Sequence, residues 1–214
     1  MPIIIVYLTF FTALCLKAQD DSVYPNYSVL HEVVADVDGD GQLETLKVVQ
    51  YGKEKDNLQR QIQLYQNIAD TVSLWQLYDS AILSSGEGGV MGDPFSEFSV
   101  NDSSLSISHY GGSSWRWSLI DDYIFRNGEY ILLHHSSSFG KFCEYSTDFS
   151  INLDSGQAHY QNKAEYCEYE NTERPPFEDE HEDFILKGLE VLMKNRFDTN
   201  RIITSPVHGY QMDL

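Results

Sequence analysis

Period-two alternation of apolar and polar residues, broken by short turn sequences, is the feature that most constrains the fold of this chain. From Phe98 onward, residues 105–109 and 115–119 alternate, and the mainly apolar segments 123–126 and 129–132 flank Asn127-Gly128. Asn-Gly between such segments is a strong hairpin signal, because both residues tolerate the positive φ of a type I′ turn. The pattern predicts an antiparallel meander of hairpins in one twisted sheet, with aromatic side chains on its buried face.

The first half of the chain also favours strands. Residues 29–34 and 46–49 are rich in β-branched side chains, and residues 61–65 alternate with period two. Residues 84–94 contain four glycines and no periodicity, which predicts a long loop. Loops of this length in a compact domain are often functional.

The pattern of the C-terminal region is typical of a helix and not of strands. After Pro175-Pro176, the acidic residues 178–183 precede Phe184, Leu189 and Leu192 at helical spacing, which predicts a helix over about residues 178–195. The last 15 or so residues are expected to form a loosely held tail. The predicted fold class is therefore mainly β (α+β): a twisted antiparallel meander sheet with one C-terminal helix packed on it.

The predicted organisation has three parts, which begin with a signal peptide. The first 16 residues carry no charged side chain, and they are too few to span a membrane comfortably but suit the apolar region of a secretory signal. We expect cleavage after Ala18, with an uncleaved anchor as the alternative. Residues 19–174 would form the β-rich domain and residues 175–214 the helix and tail. The protein is expected to be exported to the periplasm, the cell surface or the extracellular medium.

The two cysteines beyond the signal peptide are candidates for a disulfide. Cys143 and Cys167 lie on either side of a turn sequence at residues 154–156, about midway between them. In a hairpin folded there, the two side chains would face each other within reach of a bond. An oxidising compartment would preserve it. The alternative is a pair of buried thiols on the same face.

One motif carries recognisable chemistry. Asp36, Asp38 and Asp40 occupy alternate positions of a glycine-turned loop, followed by Gln42 and Glu44. Alternate residues of such a loop point inward, and Ca²⁺ takes six to eight oxygen ligands at about 2.3–2.6 Å. The three aspartates would supply side-chain oxygens, Gln42 its backbone carbonyl, and Glu44 a direct or water-mediated contact. We therefore predict a structural Ca²⁺ loop over residues 36–44, with an ordinary Asp-Gly-rich hairpin turn as the alternative.

The loop is not an EF-hand, because position 12 is Lys47 and both flanks favour strands. Over residues 31–50 it resembles the aspartate-rich calcium loops of FG-GAP and VCBS-type repeats. This resemblance implies an extracellular module in which the cation pins two strands. Over residues 27–160 the chain also resembles secreted bacterial β-rich proteins that carry one such loop, a resemblance that implies no activity.

Net charge and aromatic content indicate which classes of partner the protein can bind. The chain has 33 acidic and 14 basic residues, a net charge of −19, which disfavours nucleic acids and anionic membrane surfaces. Stable membrane insertion is not expected. His109, Tyr110, Trp115 and Trp117 could form an aromatic platform for a sugar or a peptide. The alternative is that tryptophans at alternate strand positions belong to the core.

The sequence favours a non-enzymatic binding module for an unknown protein or glycan. A first alternative is a small secreted hydrolase or transferase with its site between residues 84–94 and the Trp115 strand. Ser85, Asp93 and His109 could be assembled as a triad, but no nucleophile elbow accompanies them. A second alternative is an acidic inhibitor or immunity-type protein that meets a basic partner.

Overall fold

The computed structural model describes residues 25–68, 71–101, 104–165, 179–198 and 201–214. The first four strands form an antiparallel sheet in chain order. They are β1 (Ser28–Ala35), β2 (Glu44–Tyr51), β3 (Gln59–Ile68) and β4 (Thr71–Tyr78). Their alternating burial leaves one face of this sheet for the core.

A second, seven-stranded sheet follows the same rule, since each strand pairs with the next along the chain. Its strands are β5 (Phe95–Asn101), β6 (Ser104–Gly112), β7 (Trp115–Arg126), β8 (Glu129–Lys141), β9 (Tyr145–Asn152), β10 (Gln157–Ala164) and β11 (Glu180–Ile185). The turn between β7 and β8 falls at Asn127-Gly128, where φ is 54° and 81°. The meander predicted from Phe98 onward is confirmed by this sheet. The fold-class prediction of one sheet for the whole domain is wrong, because strands β1–β4 form a sheet of their own.

The core lies between the two sheets. Aromatic contacts join them, with ring centroids 6.0 Å apart for Tyr78 and Tyr130 and 5.3 Å apart for Trp75 and Phe125. Buried apolar side chains from both sheets belong to one cluster, including Leu46, Val48, Ile62, Leu64, Leu105, Ile107, Tyr123, Leu132 and Ile151. The two sheets therefore pack face to face as a sandwich.

The predicted α+β class and C-terminal helix are wrong. Glu180–Ile185 is strand β11, which pairs with β10, and the one helical turn in the described residues is the 3₁₀ helix Met193–Asn195. Glu182 and Phe184 point inward at period two, so the segment suits a strand as well as a helix. The free edge of β10 supplies its backbone hydrogen bonds, and Gly188, with φ of 80°, follows it. Tertiary pairing overrides the weak helix propensity here.

The last residues also pack more firmly than expected. Strands β12 (Ile202–Thr204) and β13 (Gln211–Asp213) form a two-stranded sheet. Ile203, Met212 and Leu214 are buried and join the main core cluster. The C-terminus is therefore part of the sandwich and not a loose tail.

Two predictions fall outside the described residues: the signal peptide, residues 1–18, and Cys167 of the proposed disulfide. The hairpin of β9 and β10 places Ala164 opposite Tyr145, and its turn lies at residues 154–156. The Cys143–Cys167 bond stays a prediction. In the part of the chain that the structure describes, no helix is long and apolar enough to cross a membrane.

Candidate functional site

The aspartate loop connects β1 to β2. Asp36, Asp38 and Asp40 each present a carboxylate oxygen, and these oxygens all lie within 4.8 Å of one another. Asp38 and Asp40 are exposed and Asp36 is half-buried. These three carboxylates are close enough together to contact one cation, and the Ca²⁺ site at this loop stays a prediction.

Backbone amides orient these carboxylates. The N–H groups of Gly39 and Gly41 donate to the two oxygens of Asp36 at 2.8 and 3.0 Å. Asp40 accepts from the backbone N–H of Gln42 at 2.7 Å and from its side-chain amide at 2.9 Å. Gly39 and Gly41 have φ of 77° and 86°, which glycine adopts without strain. The loop backbone thus holds the acidic side chains in one cluster.

Glu44 has a different position from the three aspartates. Its side chain is buried and accepts a hydrogen bond from the Val37 N–H at 3.0 Å. Burial raises the pKa of Glu44, the Val37 N–H opposes that rise, and the carboxylates of Asp38, Asp40 and Asp36 add to it. Glu44 anchors the base of the loop, and its predicted contact with a cation stays a prediction.

The four predicted platform residues do not share one surface. His109 is buried in the core, where its Nε2 accepts the Leu83 N–H at 3.3 Å. Tyr110, the next residue on β6, lies on the opposite face of the sheet. Trp115 and Trp117 lie two apart on β7 and share the inner face. The structure therefore keeps the two tryptophans together. Tyr110 meets Trp117 only in the lining of a second cavity, beside Arg116.

An aromatic cleft occupies the end of the inner face. It encloses about 610 Å³ between strands β7–β10 and the hairpin of β12 and β13. Six aromatic side chains line this aromatic cleft: Trp117, Phe139, Tyr145, Phe149, Tyr160 and Tyr210. Trp115 extends the surface, because its ring stacks on Phe139 with centroids 5.6 Å apart and meets the edge of Tyr145 at 5.8 Å.

The polar lining of the cleft is sparse and mostly uncharged. It consists of Ser137, Ser138, Thr147, Asn162, Gln211 and Asp213. Trp115 and Phe139 are 43% and 44% exposed, so a ligand could reach the rings. An apolar concavity with a few hydrogen-bonding groups is the usual form of a small-ligand site.

Glycines set the position of Trp117. Gly111 lies opposite Trp117 in the β6–β7 ladder, and a Cβ at Gly111 would lie 2.5 Å from the indole Cζ2 atom. Gly88 also approaches the same point, and its carbonyl accepts the Gly112 N–H at 2.8 Å. The glycine-rich loop of residues 84–94 therefore packs behind Trp117 and supports the cleft.

An ion pair between buried Arg60 and the exposed carboxylate of Asp93 holds that loop. Arg60 is almost fully buried, and its guanidinium binds both carboxylate oxygens of Asp93, one of them at 2.7 Å, and the Leu83 carbonyl at 3.2 Å. Burial alone would raise the pKa of Asp93, but the hydrogen bonds from Arg60 and from the Phe95 N–H hold it below its usual value. The pair ties β3 to the end of the loop.

A second buried network lies in the core beneath the inner face. Asp121 contacts His135 Nδ1 at 2.6 Å and accepts the Arg196 Nε–H at 2.7 Å. Tyr123 donates to Asp121 at a longer 3.4 Å. Burial would raise the pKa of Asp121, but His135 and Arg196 lower it to about 2. His135 Nε2 has no hydrogen-bond partner among the described residues.

Sequence reasoning missed this network. Asp121 and His135 are cross-strand partners because the register shifts between Asp122 and Tyr123. Counting back from the Asn127-Gly128 turn would have placed Asp121 opposite His134. Arg196 comes from the segment after the 3₁₀ helix, and no local pattern links it to β7. The sequence therefore indicated that β7 and β8 pair, but it did not indicate which of their residues face each other at Asp121.

His109 is the most strongly perturbed histidine among the described residues with a resolved shift. Burial lowers its pKa to about 4, Asp121 opposes this, and Arg60 and Arg196 lower it further. His109 is therefore neutral at pH 7, which suits its place in the core.

The residues that could be imagined as a triad have separate partners. Ser85 Oγ accepts the Leu58 N–H at 2.8 Å. Asp93 binds Arg60, and His109 accepts from Leu83. Each of the three side chains thus stabilises a different part of the loop region.

No protein-family model, curated protein or solved structure matches this chain. The function has to be inferred from the aromatic cleft and the aspartate loop.

Proposed function

We propose that the protein is an exported, non-enzymatic domain that binds a glycan in the aromatic cleft, with a structural Ca²⁺ ion in the aspartate loop. The observation that carries the proposal is an aromatic lining with a few hydroxyl and amide groups. Phe139 is its exposed ring, and the buried Phe149 and Tyr160 form its floor. Flat rings pack against the apolar faces of sugars, and hydroxyl and amide groups hydrogen-bond sugar hydroxyls. The apolar first 16 residues support export.

Binding is favoured over hydrolysis by the chemistry of the lining. Glycoside hydrolysis uses a pair of carboxyl groups across the scissile bond, whereas Asp213 is the sole carboxylate among the described residues lining the cleft. The Asp121–His135 pair is fully buried and held by Arg196. A structural role for that pair needs no substrate to explain it.

The glycan proposal is tested with soluble neutral, amino and acidic oligosaccharides, with binding measured by calorimetry. We expect binding to at least one class, and Phe139→Ala to weaken it about tenfold or more, since losing a stacked ring costs about 1–2 kcal/mol. Phe142→Ala is the matched control. Phe142 is also an exposed phenylalanine, but it lines a different cavity, beside Arg116.

Equal loss of binding in both phenylalanine variants would place the ligand outside the cleft. Failure of the wild-type protein to bind any oligosaccharide would overturn the glycan proposal. A protein ligand would then be the next candidate for the same surface.

A structural role for Ca²⁺ is supported by the position of the loop. Asp36, Asp38 and Asp40 join two strands of the four-stranded sheet and do not line the aromatic cleft. A cation that binds only the folded loop stabilises the fold through mass action.

Ca²⁺ at about 100 times its Kd is expected to stabilise the folded chain by about 2.7 kcal/mol. For a domain of this size that raises Tm by roughly 5–10 °C. Thermal unfolding in EDTA, Ca²⁺ and Mg²⁺ measures the shift. Asp38→Asn should remove most of it, whereas Asp79→Asn, which removes an exposed charge outside the loop, should retain it.

The same Tm in EDTA and in Ca²⁺ would identify the loop as an acidic turn held by its own hydrogen bonds. That result would leave the glycan proposal standing, because the cleft and the loop share no residue.

A further inference from the structure

The charge of the aromatic cleft limits which glycans it can accept. Asp213 supplies a negative charge, and no lysine, arginine or histidine occurs among the described residues that line the cleft. Asp213 is exposed on β13. A glycan carboxylate or sulfate would therefore meet a like charge and no basic side chain among these lining residues. Lys141, at the rim, is already paired with Glu144.

The field of the whole protein acts in the same direction. The chain carries 33 acidic and 14 basic residues, for a net charge of −19. Such a field raises the local concentration of cations and speeds their association, and it repels anions. Neutral sugars gain nothing from it, but a cationic sugar would.

The rings themselves suit a cation. The Lys141 ammonium lies 5.7 Å from the centroid of the Trp115 ring, and Trp115 stacks on Phe139, which lines the cleft. Aromatic faces attract ammonium groups through the ring quadrupole, most strongly where water is excluded. The rim of the cleft thus already holds one ammonium group against Trp115, and the Glu144 carboxylate, which pairs with Lys141, compensates its charge.

From these three observations we propose that the cleft binds a glycan that carries protonated amino groups. This inference rests on the proposed glycan-binding function and names the class of sugar. Sugar rings stack on the aromatic side chains of the cleft, an ammonium group of the glycan lies against their faces, and Asp213 provides the countercharge. Acidic glycans are excluded by charge, and neutral glycans bind more weakly.

The test compares three tetrasaccharides by calorimetry on the full chain, at a pH where the sugar amines are protonated. They are a glucosamine tetramer, its N-acetylated counterpart with the same backbone and no charge, and a galacturonic acid tetramer. The glucosamine tetramer should bind about tenfold or more tightly than the N-acetylated one, since a cation–π contact and an ion pair are added. Added salt should reduce this difference, and the galacturonic acid tetramer should not bind.

Asp213→Asn tests the countercharge. It should reduce the affinity for the glucosamine tetramer about fivefold and leave that for the N-acetylated tetramer unchanged. Asp79→Asn removes the same charge elsewhere on the surface and should have a much smaller effect. An unchanged glucosamine affinity in Asp213→Asn would overturn the assignment of the countercharge.

The outcomes separate this inference from the function on which it rests. If the N-acetylated tetramer binds as tightly as the glucosamine tetramer, and Phe139→Ala weakens both, the amino-sugar inference fails and the glycan-binding function stands. If the wild-type protein binds none of the wider set of neutral, amino and acidic oligosaccharides, the function itself fails.

Discussion

Replacing Arg196 by leucine is expected to lower the free energy of unfolding by about 3–5 kcal/mol. The guanidinium donates to Asp121 through Nε at 2.7 Å and through a terminal nitrogen at 3.2 Å, and both side chains are buried. Removing Arg196 leaves the buried Asp121 carboxylate without its cationic partner, with only His135 and Tyr123 still in contact with it. Denaturant unfolding at pH 7 measures the loss.

A matched arginine outside the core provides the control. Arg126 binds Asp154 through two hydrogen bonds of 2.9 Å, but both side chains are exposed. Arg126→Leu should therefore cost far less than Arg196→Leu, because solvent screens the pair. Equal losses in the two variants would contradict a desolvated Asp121–Arg196 pair.

The double variant Asp121→Asn/Arg196→Leu tests whether the two charges of this pair interact in the folded protein. Neutralising Asp121 removes the buried charge that the single variant leaves unpaired, so part of the lost stability should return. If the two losses simply add, the two charges do not interact in the folded protein.

The second large expected effect is a loss of folding stability at acidic pH, caused by His109. Its pKa is about 4 in the folded state, compared with about 6.5 for an unperturbed histidine. The unfolded state therefore binds the proton more readily. The stabilising contribution is fully present above about pH 6.5 and is lost as the pH falls towards 4, for a total of about 3 kcal/mol.

Unfolding free energies measured from pH 7 down to 4 should show this loss in the wild-type protein and a smaller one in His109→Gln. The glutamine amide oxygen can still accept the Leu83 N–H, so the variant removes the titrating group and keeps the hydrogen bond. A pH dependence of the same size in both proteins would contradict the assignment to His109.

Asp121 contributes to the free energy of unfolding over a different pH range. Its folded pKa of about 2 lies below the ordinary value of about 3.9, so its stabilising effect is present above about pH 4 and is lost between about pH 4 and 2. The two groups can therefore be separated in one pH series.

Local sequence was sufficient for most strands. Residues 46–49, 61–65, 105–109 and 115–119 all lie in strands, because their alternation matches a half-buried sheet. The same alternation separates two of the four platform residues. His109 and Tyr110 are neighbours on one strand, so their side chains point to opposite faces.

Residues 180–185 show where the local pattern was insufficient. Their acidic and apolar residues suit a helix start, and the inward Glu182 and Phe184 suit a strand equally well. The unpaired edge of β10 decided between them, since pairing there satisfies the backbone and buries Phe184. An available sheet edge is a property of the tertiary structure and has no local signature.

By itself, the sequence determined the β character of most of the chain, the turn at Asn127-Gly128, the acidic loop at residues 36–44 and the negative charge. These features follow from interactions between residues close in the chain and from composition. Only the tertiary structure decided the separation into two main sheets, the aromatic cleft and the Asp121–His135–Arg196 network. Their side chains come from strands and segments far apart in sequence, and sheet order and register, which depend on packing of the whole core, bring them together.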